Sequence, residues 1–417
     1  MDLAGLRALL TDQGQAVLAG LPAYDPATAL ATAERLRRDG HEDALVAAAL
    51  TQSRLRARAR PRLGDLADRL LLTADGLEQT TRPSVAARHA RRFATSGGLT
   101  QGGRVVDLCC GIGGDLLALA AAGLPVRGVD RDPLTAEVAR ANAVALGLGD
   151  LVEVECADAL ETDLTDAAGV FVDPARRSGR GRTFDPRAYS PPFDAVVEVA
   201  SRVPATGAKL APGIPHHVLP AGTEAEWVSV DGDVVECALW WGPLAGRAPR
   251  RATLLPHGAT VTEDGSARAP VGRVGRYLHE PDGAVIRAGL VAEVAGPIGA
   301  TLVDETIAYL TTEEPVDSAL VTSYEVTDVL PFSVKRLRAL LRERGVGRLT
   351  VKKRGTAVTP EELRRQMRLT GDAEATVVLT RVAGAQTVLV VEPVGSGEDE
   401  QEVRRVTGAE DHPGGPA

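Results

Sequence analysis

The spacing of hydrophobic positions along this 417-residue chain changes character twice. Up to about residue 92 apolar side chains recur every three or four positions, as in Leu3, Leu6, Leu9 and Leu10. That period predicts helices packed through one face. Asp25-Pro26 reads as an N-cap followed by a first-turn proline, with Gly40 closing the helix. From about residue 93 short β-rich runs, "RVVDL", "PVRGVD", "LVEVEC", "GVFVD" and "DAVVEVA", alternate with helical stretches or longer loops. The alternation predicts an α/β fold with a doubly wound, Rossmann-like parallel sheet. "AEWVSV" and "DVVECALWW" meet at Asp231-Gly232, a hairpin signal, so the sheet should end in an antiparallel pair.

A second α/β region follows. A strand is expected over Ser323–Leu330. Ser333 caps a helix with Val334, Leu337, Leu340 and Leu341 on one face and Gly345 at its end. "RLTVKK" is a strand, and Thr359-Pro360-Glu361-Glu362 opens a helix that Gly371 ends. "ATVVLTRV" and "QTVLVVEPV" form a hairpin across Ala383-Gly384. The expected organisation is a helical domain over 1–92, an α/β domain over 93–255, a second over 256–393, and a polar, Gly/Pro-rich disordered tail over 394–417.

Composition narrows the classes. Aromatic residues make up only 3% of the chain, so the cores rest on Leu, Val and Ala. No apolar run is long enough to span a membrane, and the first residues lack the basic start of a signal peptide. Two of the four cysteines are adjacent, which suits a reducing cytoplasm better than a disulfide framework. The seven histidines show no ligand spacing, so no metal site is expected. A net charge of −9 argues against a surface coated by nucleic acid, though not against local basic patches. Nothing in the sequence fixes an oligomeric state.

The strongest chemical signal is "VVDLCCGIGGDLLALAAAGLPVRGVDRDP". A strand ends at Asp107, a turn with Cys109, Gly111 and Gly113 leads into a helix, and a second strand ends at Asp130. Glycine lets the backbone approach a ligand closely. An acid at the tip of the neighbouring strand can accept both hydroxyls of a ribose. A dinucleotide would want a third glycine where Leu116 stands, and Asp115 would repel its pyrophosphate. S-adenosylmethionine carries no phosphate and is cationic at sulfur and nitrogen. Asp107, Asp115 and Asp173 suit it, with Asp158 placed to accept from the adenine amino group.

These residues resemble the class I methyltransferase superfamily over roughly 80–241. "LEQTTRPSVAARHARRF", "DLCCGIGGD" and "VDPARRSGR" resemble a bacterial group of such enzymes that carries a THUMP-like C-terminal domain. "RYLHEPDGAVIRAGLV", "AYLTTEEPV" and "LPFSVKRLRALLRERGVGRLTVKKRG" resemble the same group. The likeness to RNA cap guanine-N2 methyltransferases is more distant. The resemblance implies an RNA-directed enzyme. In amino-methylating relatives an acid or Asn, two prolines and an aromatic ring follow the fourth strand. Here Asp173 and Pro174 remain as the catalytic pair, and Ala175 and Arg176 replace the rest. Phe184, Tyr189 or Phe193 would have to supply the stacking ring. Uracil-C5 chemistry would need a nucleophilic cysteine after the fifth strand, and Ser201 stands nearby instead.

Behind Asp173 the loop "ARRSGRGR" holds Arg176 and Arg177, either a clamp on substrate phosphate or a solvated loop. "RLRARARPR" (54–62) offers the same two choices on a helix. Between Ser333 and Arg368 the net charge is +9, and Lys352, Lys353 and Arg354 stand at a strand end as candidate RNA contacts. The expected activity is S-adenosylmethionine-dependent N-methylation of guanine or adenine in tRNA or rRNA. A methyltransferase of small molecules or proteins, and a non-catalytic RNA-binding protein holding the cofactor, are the alternatives.

Overall fold

The helical period of the first region is realised as α1 (Leu3–Leu9), α2 (Asp12–Ala19), α3 (Ala29–Arg38), α4 (Asp43–Leu63), α5 (Leu66–Arg69), α6 (Ala74–Gln79) and α7 (Pro83–Thr95). The computed structural model describes residues 1–96, 103–175, 177–178, 181–182, 185–265 and 267–394. Leu6, Leu9, Val46, Ala49, Leu55 and Leu72 are among the buried side chains that hold these helices together. Asp25 does cap, accepting from the Ala27 amide at 2.9 Å. It closes a local turn first, however, so α3 begins at Ala29 rather than directly after Pro26. Gly40 ends it with φ +87°.

The parallel sheet is built from β1 (Arg104–Leu108), β2 (Val126–Asp130), β3 (Val152–Cys156), β4 (Ala167–Val172) and β7 (Thr206–Leu210). Between them run α8 (Gly114–Ala121), α9 (Pro133–Ala145), the short hairpin β5 (Arg177–Ser178)–β6 (Gly181–Arg182), and α10 (Phe193–Arg202). β8 (Glu224–Val230), β9 (Asp233–Trp240) and β10 (Arg250–Leu255) extend it, so that these strands lie in the order β3-β2-β1-β4-β7-β9-β8-β10. β9 runs antiparallel to β7 and β8, and the turn between β8 and β9 places Asp231 and Gly232 at φ +52° and +81°, as the hairpin signal requires. β10 adds a strand parallel to β8 beyond the expected hairpin. The strand order reverses between β1 and β4, the switch point beside which open α/β sheets bind ligands.

One expected strand is a helix. "DAVVEVA" lies in α10, where Phe193, Val196, Val199 and Ala200 are buried at helical spacing behind Pro191-Pro192. The β-branched run suggested a strand, and burial of a single face decided for the helix. The fifth parallel strand is instead "TGAKL", and no cysteine follows it before β8.

The helices and this sheet form one compact unit, Met1–Gly258. Asn142 on α9 ties them together, donating to the carbonyls of Leu71 and Ile112 at 3.0 and 2.9 Å and accepting from the Leu71 amide at 2.7 Å.

The second unit starts at Ala259. It contains β11 (Ala259–Thr262), β12 (Tyr277–Pro281), α11 (Gly283–Ala288), α12 (Val291–Ala295), β13 (Thr301–Asp304), β14 (Ile307–Thr312), β15 (Val321–Pro331), α13 (Val334–Glu343), β16 (Val346–Lys353), α14 (Pro360–Met367), β17 (Ala373–Val382) and β18 (Ala385–Pro393). Its sheet runs β13-β14-β12-β15-β18-β17-β16. Leu337 and Leu341 of α13 and Leu363 and Met367 of α14 pack on Val351, Val377 and Val388. Ser333 and Thr359 cap as expected. α14 stops before Arg368, whose φ is +47°, and not at Gly371. Gly371 serves a close backbone approach, since a Cβ there would collide with the Gly345 carbonyl.

Gly207 on β7 fills a similar need. A Cβ there would stand 2.5 Å from the buried Trp240 ring and 3.1 Å from that of Phe171. Gly207→Ala should therefore destabilise the protein by about 1–3 kcal/mol, as overpacking does. Denaturant unfolding that is unchanged in the variant would mean that the ring cluster yields without cost.

Candidate active site

The C-terminal ends of β1 to β4 open into a cleft of about 1140 Å³. Its opposite wall comes from the end of α4, from α6, and from the Thr80–Arg82 linker before α7. The glycine turn forms the floor. Cys109, Gly111 and Gly113 all have positive φ, at +63°, +57° and +99°. Gly111 has open space where a Cβ would be, whereas a Cβ at Gly114 would stand 2.5 Å from Thr80 Oγ1. The turn thus stays open toward the cleft and packs tightly against the helical region.

Of the expected site residues, Cys109, Gly111, Asp130, Asp158, Asp173 and Pro174 line this cleft. Asp130 accepts from the amides of Gly111 at 3.1 Å and Asp132 at 3.0 Å. Burial raises its pKa above the ordinary carboxylate value despite those bonds. Asp158 is exposed and accepts from the Leu160 amide at 2.8 Å. Gly113 does not line the cleft; a Cβ on it would meet Leu117. Asp107 lies beneath the surface, fully buried, and neither carboxylate oxygen has a hydrogen-bond partner among the described residues. Burial, then Asp115 and Asp173, push its pKa well up. A buried acid pair of oxygens without donors, beneath a floor rich in acids, fits a cationic ligand and not a pyrophosphate.

Arg176 and Phe184 lie outside the described residues, as does the tail beyond residue 394. Arg177 belongs to β5. Tyr189 and Phe193 are buried and do not line the cleft. Backbone hydrogen bonds of 2.8 and 3.0 Å between Ala175 and Ser190 instead bring Pro191 and Pro192 to the cleft with Pro174. The arginines of 54–62 are largely engaged on their own fold: Arg56 with the Leu70 carbonyl, Arg58 with Glu78, Arg60 with Asp68, and Arg62 with the carbonyls of Leu77, Glu78 and Thr80. In the second unit Lys352 pairs with Glu280 at 2.7 Å and Arg354 stands 3.6 Å from the same acid, while Lys353 is exposed.

The residue that sequence reasoning missed is Lys209. It is buried on β7, and its Nζ donates to Asp173 at 2.5 Å and to Thr81 Oγ1 at 2.9 Å. Thr81 donates to Asp115 Oδ2 at 2.5 Å. His89 Nδ1 and Nε2 each lie 2.7 Å from a carboxylate, Asp115 and Glu236. The result is a buried chain of alternating charge: Asp173, Lys209, Asp115, His89, Glu236. A lysine inside an otherwise buried strand was the available signal, but "TGAKL" was not read as a strand.

Burial alone would lower the pKa of His89 and of Lys209, yet the flanking carboxylates win in both. Asp173, Asp115 and Glu236 hold Lys209 above its ordinary value. Glu236 and Asp115 push His89 up to about 10. Burial would raise Asp115, but His89 and Lys209 hold it below the ordinary carboxylate value. The thiols of Cys109, Cys110 and Cys237 are pushed up by burial and nearby acids, which disfavours thiolate formation.

A histidine ordinarily loses its proton near 6.5, whereas His89 in the fold keeps it until about 10. Its contribution to stability is therefore full below about pH 6.5 and fades as pH rises toward 10. His89→Gln should cost about 3 kcal/mol or more at pH 6, because it strands two buried carboxylates. It should also flatten the loss of stability between pH 7 and 10. Thermal unfolding across that range checks this, and an unchanged slope in the variant would contradict a charged His89.

Residues 321–393 match the family model for THUMP domain-like sequences, and residues 2–59 match a domain of unknown function, DUF8688. An uncharacterized S-adenosylmethionine-dependent methyltransferase of Mycobacterium tuberculosis is 37% identical over 339 residues, covering 79% of this chain and 90% of the relative. An uncharacterized RNA methyltransferase of Parasynechococcus marenigrum is 37% identical over 93 residues, 22% of this chain and 20% of that protein. The crystal structure of a protein assigned as a methyltransferase from Porphyromonas gingivalis W83 has the same fold, with a TM-score of 0.69 at 23% identity over 90% of this chain and 100% of that one. The extent of the mycobacterial match, over a sheet of this order and an acid-floored cleft, places the chain in the S-adenosylmethionine-dependent methyltransferases of class I fold, with a THUMP-like domain at its C-terminal end.

Proposed function

We propose that this enzyme methylates a nitrogen of guanine or adenine in cytoplasmic tRNA or rRNA. The observation that carries the reading is Asp173 at the edge of the cofactor cleft, 2.5 Å from a buried lysine. When bound, S-adenosylmethionine supplies an electrophilic methyl group. Asp130 would hold the ribose hydroxyls and Asp158 the adenine amino group, while Asp107, beneath the cleft floor, would act on the cationic methionine end through its charge and not by contact. Cys109, Gly111 and Gly113 shape the turn against which the cofactor lies. Asp173 accepts a hydrogen bond from the acceptor N–H, which turns the nitrogen lone pair toward the methyl group. It then takes the proton that the nitrogen loses. Direct transfer of this kind depends mainly on positioning. Pro174, Pro191 and Pro192 offer flat apolar walls to a base.

An RNA acceptor is supported by the THUMP-like region and by the local likeness to an RNA methyltransferase. Because Lys352 and Arg354 share Glu280, the phosphate contacts of the second unit would fall on Lys353 and on the exposed Lys335 and Arg336. Arg176 and Arg177 remain candidates for holding phosphate beside the acceptor base. Among the described residues no helix is long and apolar enough to cross a membrane.

The test is single-turnover transfer of labelled methyl to bulk RNA from a strain lacking the gene. Asp173→Ala should slow transfer by about a hundredfold or more, with little change in cofactor affinity. Lys209→Met should slow it too, because Asp173 then loses the lysine that donates to it and fixes its direction. Asp130→Ala should instead weaken cofactor binding, by roughly 1.5–3 kcal/mol for each hydrogen bond lost. Wild-type rates in Asp173→Ala would remove that residue from the chemistry.

A further inference from the structure

Among the half-buried cations of the first unit, Arg82 stands apart. Arg88 pairs with Glu226, Arg92 and Arg251 with Glu224, Arg127 with Asp166, and Lys209 with Asp173. Among the described residues Arg82 makes no ion pair or side-chain hydrogen bond, although it lines the active-site cleft. Its charged neighbour is a second cation. Arg62 is fixed at the same wall by the three carbonyls it binds, with its Nε buried and unpartnered. Burial, and then the charge of Arg82, lower the pKa of Arg62, so the two guanidinium groups repel each other. Arg82 is also the N-cap of α7, whose first turn carries no acid, so the positive end of that helix adds to the same field. The nearest acid of the wall in sequence, Glu78, is paired with Arg58 at 3.1 Å.

Two like charges held together at the wall of an open cleft are costly unless an anion joins them. The linker fixes where that anion would be. Thr81, next to Arg82, is one hydrogen bond from Lys209, which contacts Asp173. Adjacent Cα atoms are about 3.8 Å apart, so Arg82 starts within one side chain's length of the acceptor side.

We propose that Arg82, backed by the charge of Arg62, forms an oxyanion subsite that takes a phosphodiester of the nucleic acid acceptor close to the methylated base. This rests on the RNA reading above. Arg82 supplies the donors that meet the phosphate oxygens. Arg62, whose N–H groups are mostly occupied, supplies charge and holds the linker in place. The subsite makes the cleft bipolar, with acids beneath the cationic cofactor and arginines facing the anionic acceptor.

The same shared chemistry could be met by the carboxylate of the cofactor, so the experiment has two arms. The full-length protein and its Arg82→Gln and Arg82→Lys variants are titrated with a single-stranded oligouridylate, which offers phosphates without a purine acceptor. They are also titrated with S-adenosylhomocysteine and with 5′-methylthioadenosine, which lacks the carboxylate. Arg82→Gln should weaken oligouridylate binding about tenfold at low salt. It should reduce the log–log salt slope by about 0.7. S-adenosylhomocysteine affinity should hold, and Arg82→Lys should keep most of the RNA affinity. Since Arg82 makes no ion pair among the described residues, Arg82→Gln should melt at or slightly above the wild-type temperature. Loss of S-adenosylhomocysteine affinity alone, with methylthioadenosine unaffected, would assign the oxyanion to the cofactor and overturn the phosphate. No change in either arm would remove the subsite. If the wild type itself binds neither oligouridylate nor bulk RNA, the RNA reading fails first. If it binds both and Arg82→Gln binds equally well, only the subsite fails.

Discussion

The ion pair between Lys209 and Asp173 is the interaction on which the site depends. Asp173 stands at the rim of an acid-lined cleft, and the buried lysine 2.5 Å away sets a positive charge against it and fixes the carboxylate's direction. The lysine itself tolerates burial because Thr81, Asp115, His89 and Glu236 continue the alternation of donors and acceptors behind it. Removing either end of such a chain leaves a buried charge uncompensated, which costs far more than an exposed ion pair contributes. The chain draws its members from α7, the linker before it, α8, β7 and β9, so the whole first unit must be assembled before Asp173 is set.

This explains why the N-terminal helices belong with the sheet. Thr81 and His89 come from the helical region, and Asn142 clamps Leu71 to the floor of the glycine turn. The region builds one wall of the cleft and half of the charge chain behind Asp173. Cleavage or displacement of these helices would therefore act on chemistry as well as on stability.

Much of this was legible in the sequence. The glycine turn and the acids at or just past the ends of β1 to β4 could be read because each sits where an alternating β–α pattern changes state, and the hairpin at Asp231-Gly232 because its turn demands positive φ. "DAVVEVA" misled because β-branched residues favour strands locally, while its helical form comes from packing one face on the sheet. That error hid "TGAKL", and with it Lys209. The charge chain was illegible for a further reason: its members are spread over residues 81 to 236, and nothing local distinguishes His89 or Glu236 from surface residues. Likewise, the basic count around Lys352 was visible, but its partner Glu280 lies far away in sequence.

We propose Asp173, paired with Lys209, as the residue that directs a methyl group to a base nitrogen in RNA. Quantitative mass spectrometry of nucleosides from wild-type, deletion and complemented strains tests it most directly. One methylated guanosine or adenosine, bearing its methyl on nitrogen, should disappear on deletion. It should return with the wild-type gene and not with Asp173→Ala. An unchanged nucleoside profile, or a lost methyl carried by carbon or by the ribose oxygen, would contradict it.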